Sequence, residues 1–243
     1  MEKEWFASWF DSPYYHLLYK DRDDIEAGQF IENLVNHLSL SKNASVLDLA
    51  CGTGRHSKTL KQFEYNVLGV DLSPNSIEKA KKYSETGLSF KVHDMRDVIP
   101  NHSFDAIFNL FTSFGYFEEN SDNIKMLSSI HKMLKNKGLL VIDFMNVTKV
   151  VSELVKSEVK IIEDIEFVIT REFDGKHIIK SIEFPINAVP QNHIEKVQAF
   201  RLNDFKKILK DCQYKITDIF GDFKLNSFDE NTSERLILIA EKI

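Results

Sequence analysis

One acidic residue and two glycines accompany a short apolar run early in the chain. Asp48 lies in the run, and Gly52 and Gly54 follow it, ahead of a segment with helical spacing. A buried strand, a tight turn and a helix are the expected local structures. The glycines allow positive φ and let a ligand approach the backbone without a Cβ between them. Because the free N–H groups of the helix point back at the turn, the stretch predicts a cofactor-binding site.

Two cofactor classes use such a turn, and two residues favour one of them. A dinucleotide fingerprint has Gly or Ala at the position that Ser57 occupies here. Asp48 suits a cationic ligand and would repel a diphosphate. Residues 48–54 (DLACGTG) resemble motif I of the class I S-adenosylmethionine (SAM) dependent methyltransferases, which hold an amino acid bearing a sulfonium. On this stretch alone, a structural turn in another α/β protein stays an alternative.

Two further acids follow the next two predicted strands. Asp71 ends the second strand, where a carboxylate can accept both ribose hydroxyls of an adenosine, although Ser73-Pro74 also predicts a helix start there. Asp94 begins an Asp-Met-Arg triplet that resembles the adenine-edge motif of a methyltransferase subgroup, which includes N-methyltransferases of amino sugars. The resemblance implies that Asp94 accepts from the adenine N6 amine and that the Met95 N–H donates to N1.

The acceptor region is expected at the end of the fourth strand, where strand order reverses. The run 111–117 (FTSFGYF) is similar to that of the same subgroup, and Tyr116 is the best candidate to touch the acceptor. Packing of Tyr116 under the next helix is an equal alternative. Asp143, at the end of the fifth strand, and His193 complete the candidates for a general base, behind Tyr116. The expected cofactor-binding residues are Tyr14, Arg22, Asp48, Ala50, Cys51, Gly52, Gly54, Asp71, Leu72, Asp94, Met95, Leu110 and Phe111.

The elements that must position these residues alternate between strands and helices. Hydrophobic spacing predicts strands over 45–49, 66–70, 88–92, 104–110 and 139–143, and helices over 24–38, 55–63, 73–84 and 122–134, the last closed by Lys137-Gly138. A helix over 202–212 and strands over 214–220 and 236–240 end the chain. The resemblance implies a Rossmann-like α/β sandwich with a seven-stranded sheet in the order 3-2-1-4-5-7-6, its last strand antiparallel.

Two segments interrupt or precede this alternation. Residues 147–200 contain β-rich runs at 159–173, 177–187 and about 193–200, with the hairpin signal Asp174-Gly175 between the first two. They predict an antiparallel insertion that roofs the acceptor site or forms a homodimer contact. Residues 1–23 are rich in aromatic side chains that either dock on the core or form a lid over the site. The expected methyltransferase domain therefore comprises 1–146 and 201–243, with 147–200 as an inserted cap.

Composition limits the function classes. The chain has 243 residues and a formal net charge of −6, without the basic runs that nucleic-acid binding needs. No apolar run is long enough to cross a bilayer, and the N-terminus lacks the apolar core of a signal peptide. Cys51 and Cys212 lie far apart and show no metal-type spacing, so a cytoplasmic protein without a bound metal is expected.

These observations predict an enzyme that transfers a methyl group from SAM to a nitrogen or oxygen of a small molecule. An amine acceptor need only arrive deprotonated, whereas a hydroxyl requires a general base within hydrogen-bond reach. Two alternatives stay open: an RNA or protein methyltransferase on the same fold, and a non-catalytic SAM-binding module.

Overall fold

The computed structural model describes residues 4–20 and 24–243, and within these ranges it contains a mixed main sheet and a separate antiparallel sheet. The strands are β1 (Ser45–Leu49), β2 (Asn66–Asp71), β3 (Leu88–Val92), β4 (Phe104–Asn109), β5 (Leu134–Met145), β6 (Ser157–Ile162), β7 (Ile165–Phe173), β8 (His177–Ile186), β9 (Val189–Gln198), β10 (Tyr214–Phe220) and β11 (Arg235–Lys242). The helices are α1 (Trp5–Trp9), α2 (Pro13–Leu18), α3 (Asp24–Leu38), α4 (Arg55–Gln62), α5 (Pro74–Ala80), α6 (Asn120–Met133), α7 (Val147–Ser152) and α8 (Leu202–Asp211).

The main sheet has seven strands in the order β3-β2-β1-β4-β5-β11-β10. The first five are parallel, and β11 runs antiparallel to both β5 and β10. The predicted order 3-2-1-4-5-7-6 is therefore confirmed. Since β1 lies between β2 and β4, the strand order reverses beside it, and ligands bind at such a point in open α/β sheets.

Helices cover both faces of the main sheet. One face packs α3, α4 and α5 through apolar side chains such as Leu34 and Leu60, both fully buried. The opposite face packs α6 and α8, where Ile130 and Phe205 are equally buried. The helical spacing that predicted these elements arises because side chains three and four residues apart share one face. No helix in the described ranges is long and apolar enough to cross a membrane.

The prediction that Lys137-Gly138 closes the sixth helix is wrong. Helix α6 ends at Met133, and β5 begins at once with Leu134, which pairs with Phe104. Lys137 adopts a φ of 59° inside an irregular stretch, after which Leu139 pairs with Ala106. The residues ahead of Gly138 are polar, so their sequence did not predict a strand. This first part of β5 pairs with β4 through Leu134 and Phe104.

The inserted sheet is a meander in the order β6-β7-β8-β9, with one strand more than the sequence predicted. The Asp174-Gly175 turn is confirmed between β7 and β8. The run 159–173 is broken by a turn at Glu163-Asp164, where both residues have positive φ, and β9 starts earlier than expected after a turn at Asn187-Ala188. These turns lack glycine, so the sequence signal for them was weak, although Asp and Asn tolerate this conformation.

The N-terminal segment (residues 4–20) packs against the inserted sheet. Trp9 and Leu18 are buried in one cluster with Phe167, Ile182 and Phe184 of the inserted sheet. The segment also contributes Phe6 to the core of the main domain. It therefore lies between the two sheets and contacts both.

Candidate functional site

A cavity of about 920 Å³ opens at the carboxyl ends of β1, β2, β3 and β4. This volume is at the upper end of the roughly 300–1,000 Å³ of small-molecule sites. The strand ends contribute Ala50, Cys51, Gly52, Asp71, Leu72, His93, Asp94, Met95, Leu110 and Phe111. The N-terminal segment contributes Phe6, Phe10, Tyr15, His16, Tyr19 and Lys20, and the loop after β4 contributes Ser113, Tyr116 and Phe117.

The glycine turn after β1 requires its two glycines for different reasons. Gly52 has a φ of 55°, and a Cβ there would meet nothing within 4 Å, so its backbone lies open to a ligand. Gly54 has a φ of 85°, and a Cβ would lie 2.8 Å from the ring of Phe90. The sequence missed Gly69 in β2, where a Cβ would lie 2.6 Å from the same ring. A glycine inside a strand was the available signal, since it marks close approach of neighbouring groups.

Asp48 lies beneath the turn and is only 1 % exposed. Its carboxylate accepts a 2.6 Å hydrogen bond from the hydroxyl of Ser57. Burial raises the pKa of Asp48 to about 6, and the Ser57 hydrogen bond opposes that rise. Ser57 therefore occupies the third position of the glycine motif because it is the polar partner of Asp48.

Asp71 faces the cavity from the end of β2. One carboxylate oxygen accepts from the N–H of Gly52 and the other from the N–H of Ser73, each at 2.8 Å. Burial raises the pKa of Asp71, and these backbone donors work against that effect. Each oxygen has a second acceptor site, so the pair can receive two vicinal hydroxyl donors. The predicted cap of α5 is confirmed, because the Ser73 hydroxyl accepts from the Ser76 N–H.

Asp94 is held by Arg96. The guanidinium donates to both Asp94 oxygens at 2.6 to 3.1 Å, and the Arg96 N–H donates to one of them at 2.8 Å. Burial raises the pKa of Asp94, but the hydrogen bonds and charge of Arg96 outweigh it and leave the pKa lowered. Arg96 also pairs with Glu4 and Asp122, and thereby ties the N-terminal segment to this corner of the cavity.

Of the cofactor residues predicted from sequence, most lie on the cavity wall. Asp48 and Gly54 lie just behind it. Tyr14 does not face the cavity: its ring packs against Phe184 of the inserted sheet, with centroids 4.9 Å apart. Tyr15, the next residue of α2, lines the cavity instead, because neighbouring positions of a helix point to different faces, and so does Tyr19 just after the helix. Arg22 lies outside the described residues.

Two predicted catalytic candidates lie elsewhere. Asp143 is 1 % exposed and accepts from Arg235 Nε and from the N–H of Phe111, each at 2.8 Å. His193 stacks on Trp9 within the inserted sheet, with ring centroids 4.5 Å apart, and burial lowers its pKa. Neither is among the described residues that line the cavity. The expectation that they reach an acceptor must be corrected, since Asp143 is held in an ion pair with Arg235 and His193 packs against the ring of Trp9.

Tyr116 does line the cavity, beside the N-terminal aromatic rings. Its ring lies 5.4 Å from that of Trp5 and 5.1 Å from that of Phe10, centroid to centroid. Gln198 of β9 holds the backbone of this loop: its N–H donates to the Gly115 carbonyl, and its side-chain amide donates to the Phe117 carbonyl. The sequence missed Gln198, which is buried at the end of a strand with mixed exposure.

Fold and site together define an α/β enzyme of the class I SAM-dependent methyltransferase type. The antiparallel β11 between β5 and β10 distinguishes this sheet from the dinucleotide-binding fold. Asp71 can accept a ribose diol, and Asp48 behind the open Gly52 backbone suits a cationic amino acid. The residues present therefore fit SAM.

Comparison with known proteins agrees. The chain belongs to the methyltransferase domain family, whose model matches residues 40–200. The YqeM protein of Bacillus subtilis (strain 168) is 28% identical over 215 residues, which cover 84% of this chain and 86% of the relative. A glycine/sarcosine N-methyltransferase of Aphanothece halophytica is 25% identical over 235 residues, covering 91% and 83%.

A solved structure shows the same fold. The crystal structure of a SAM-dependent methyltransferase from Clostridium acetobutylicum ATCC 824 superposes with a TM-score of 0.78 at 22% identity, over 94% of this chain and 96% of the other. This protein is thus a SAM-dependent methyltransferase.

Proposed function

We propose that the enzyme transfers the methyl group of SAM to a nitrogen of a small molecule, with an oxygen acceptor as the alternative. The observation that supports this most is the ring-lined side of the cavity. Phe6, Phe10, Tyr15 and Tyr116 lie beside the strand ends that bear the carboxylates. A wall of this kind suits an acceptor of small size. The name of the Aphanothece halophytica relative, a glycine/sarcosine N-methyltransferase, adds support for an amine.

The residues of the chain bind SAM, orient the two reactants and shield them from water. SAM, when bound, supplies an electrophilic methyl group on a sulfonium. Asp71 would hold the ribose hydroxyls, Asp94 and the Met95 N–H the adenine edge, and the open Gly52 backbone the amino acid portion. Fixing two reactants in this way can lower a barrier by roughly 7–11 kcal/mol in favourable systems. The aromatic rings keep water from the transfer region.

An amine acceptor also requires the fewest catalytic groups in this site. Among the three candidate bases, only Tyr116 lies on the cavity wall. A neutral amine needs no base to react, and the ammonium product can release its proton to solvent afterwards. A hydroxyl acceptor would require a stronger base in contact with it.

We further propose that the N-terminal segment is a lid over the cavity. The inserted sheet, which lies within the predicted cap 147–200, supports this lid on the side away from the cavity. Glu195 of β9 accepts from Trp9 Nε1 at 2.7 Å and from the Tyr19 hydroxyl at 2.8 Å. Lys180 of β8 contacts both Glu195 and Tyr19. Tyr19 in turn lines the cavity, so these polar contacts join the sheet to the cavity wall. The homodimer and the cytoplasmic location stay predictions.

A panel of acceptors tests the proposed function. Purified enzyme and SAM are incubated with glycine, sarcosine, amino sugars, catechols and total RNA, and S-adenosylhomocysteine is quantified. Turnover on an amine, with the product mass raised by one methyl group, supports the proposal. Turnover confined to hydroxyl compounds supports the oxygen alternative. Turnover confined to RNA contradicts a small-molecule acceptor, and tight SAM binding without turnover on any compound favours a non-catalytic module.

A further inference from the structure

Two consecutive residues just after β4 adopt a backbone conformation that residues with a side chain disfavour. Phe111 has a φ of 61° and Thr112 a φ of 60°. For a β-branched residue such as threonine, this left-handed region is a clear outlier. Such conformations persist where surrounding contacts enforce them, and they cluster at functional sites. Phe111 is also part of the cavity wall.

Asp143 holds both of these residues. Its carboxylate accepts from the Phe111 N–H at 2.8 Å, and its backbone carbonyl accepts from the Thr112 N–H at 2.9 Å. The left-handed pair therefore receives a hydrogen bond at each amide. Asp143 is 1 % exposed, so its carboxylate depends on these partners rather than on water.

Arg235 completes the arrangement from the last strand. Its Nε donates to Asp143 at 2.8 Å, and its Nη2 donates to the Thr112 hydroxyl at 2.9 Å. One guanidinium thus holds the side chains of Asp143 and Thr112 together. Because β11 pairs antiparallel with β5, Arg235 lies near the cavity edge of the sheet.

The ring of Phe111 has two guanidinium groups near it. The central carbon of Arg55 is 5.4 Å from the ring centroid, and that of Arg235 is 5.9 Å away. The ring borders both the cofactor cavity and a small adjacent pocket of about 60 Å³, which Phe223 also lines. A shift of the Phe111 backbone would therefore change the shape of the cofactor cavity.

We propose that Asp143 and Arg235 are positioning residues: through Phe111 and Thr112 they hold one wall of the SAM cavity in the shape that binds the cofactor. This role concerns cofactor binding and does not depend on the identity of the acceptor. It also replaces the general-base role that the sequence suggested for Asp143. The experiments below read out S-adenosylhomocysteine binding, so they stand apart from the acceptor panel.

The mildest test changes Thr112 alone. Thr112→Val keeps the branched shape but cannot accept from Arg235, whereas Thr112→Ser keeps the hydroxyl. We expect Thr112→Val to weaken S-adenosylhomocysteine binding about fivefold and Thr112→Ser to stay within about twofold, measured by calorimetry. Equal affinities for the two variants and the wild type would overturn the proposal.

A rescue experiment separates positioning from general stability. Arg235→Met should weaken binding about tenfold or more. Adding Thr112→Gly should restore much of the affinity, because glycine adopts positive φ without strain. The matched control adds Lys137→Gly instead, since Lys137 also has a positive φ (59°) but is exposed near the opposite end of β5.

Thermal unfolding of both double variants accompanies the binding measurements. The proposal predicts that both glycines raise Tm but that only Thr112→Gly restores binding. Equal restoration by the two glycines would show that Arg235 acts through stability alone. If Arg235→Met does not fold, the comparison of Thr112→Val with Thr112→Ser decides the question.

Discussion

The two sides of the cavity are built differently. On the strand-end side, Asp48, Asp71 and Asp94 are each fixed by hydrogen bonds from nearby residues: Ser57, the Gly52 and Ser73 amides, and Arg96. On the other side, aromatic rings from the N-terminal segment and the β4–α6 loop pack against one another. Directional hydrogen bonds select one ligand, whereas ring surfaces accept a range of shapes. The first side therefore suits an invariant cofactor, and the second is the side that we propose for the acceptor.

The largest effect is expected on the strand-end side. Asp71→Ala removes two charged acceptors for the ribose hydroxyls and should weaken SAM binding about 100-fold, on the order of 3 kcal/mol. The measurement is calorimetry with S-adenosylhomocysteine and its 2′-deoxy analogue. Wild-type enzyme should prefer the natural compound, and Asp71→Ala should bind both alike. A preference that survives the substitution would place the ribose elsewhere.

On the ring side, Tyr116→Ala should lower kcat about tenfold while SAM affinity changes less than about threefold, because the ring positions the acceptor rather than the cofactor. Tyr116→Phe keeps the packing against Trp5 and Phe10 and removes only the hydroxyl. Turnover close to wild type in Tyr116→Phe assigns the effect to the ring. An equal loss in both variants assigns the effect to a hydrogen bond between the hydroxyl and the acceptor. A loss of cofactor affinity would instead show that Tyr116 contacts the cofactor.

A smaller effect is expected where the N-terminal segment meets the inserted sheet. Glu195→Gln removes the carboxylate that contacts Trp9, Tyr19 and Lys180. The population of molecules in which the N-terminal segment is detached should rise about three- to tenfold. Both tryptophans of the chain, Trp5 and Trp9, lie in α1, so acrylamide quenching of their fluorescence reports on this segment. Glu183→Gln, at an exposed position of β8, is the matched control. Unchanged quenching in Glu195→Gln would argue against the lid.

The smallest effect concerns pH. The pKa of Asp48 is raised to about 6 by burial, so below that pH it loses the charge that attracts a cationic ligand. SAM affinity should fall a few-fold as pH is lowered through about 6. Ser57→Ala removes a hydrogen bond that lowers this pKa, so the midpoint should move upward, and Asp48→Asn should abolish this contribution. If the midpoint of the pH dependence is the same in Ser57→Ala as in the wild type, Asp48 is not the group that titrates.

The free energy of unfolding should also depend on the titration of Asp48, but it should decrease with rising pH where SAM affinity increases. The folded-state pKa of Asp48 lies above that of the unfolded chain, near 4, so the folded protein binds the extra proton between about pH 4 and 6. The free energy of unfolding should therefore decrease as pH rises through this window. Denaturant titrations of wild type and Asp48→Asn at both ends of the window provide the measurement.

Sequence reasoning succeeded where neighbouring residues supply the contacts. Strand β3 and strand β10 have the predicted bounds, and the Ser73 cap of α5 was read from two adjacent residues. It failed where a distant partner decides. Tyr14 and Tyr15 are adjacent and equally aromatic, and only the packing of α2 against the inserted sheet determines which one faces the cavity. Asp143 lies near the end of a strand as Asp71 does, but it is buried in an ion pair with Arg235.

The sequence by itself determined the cofactor side of this protein. Parallel strands bring their carboxyl ends to one edge, so Asp71 and Asp94, at and just past the ends of neighbouring strands, come to the same cavity. Only the tertiary structure decided how the aromatic side of the cavity is assembled and supported. Trp9 meets Glu195 across 186 residues, and Asp143 meets Arg235 across 92. Contacts over such separations depend on how whole sheets pack, and no local spacing of residues encodes that.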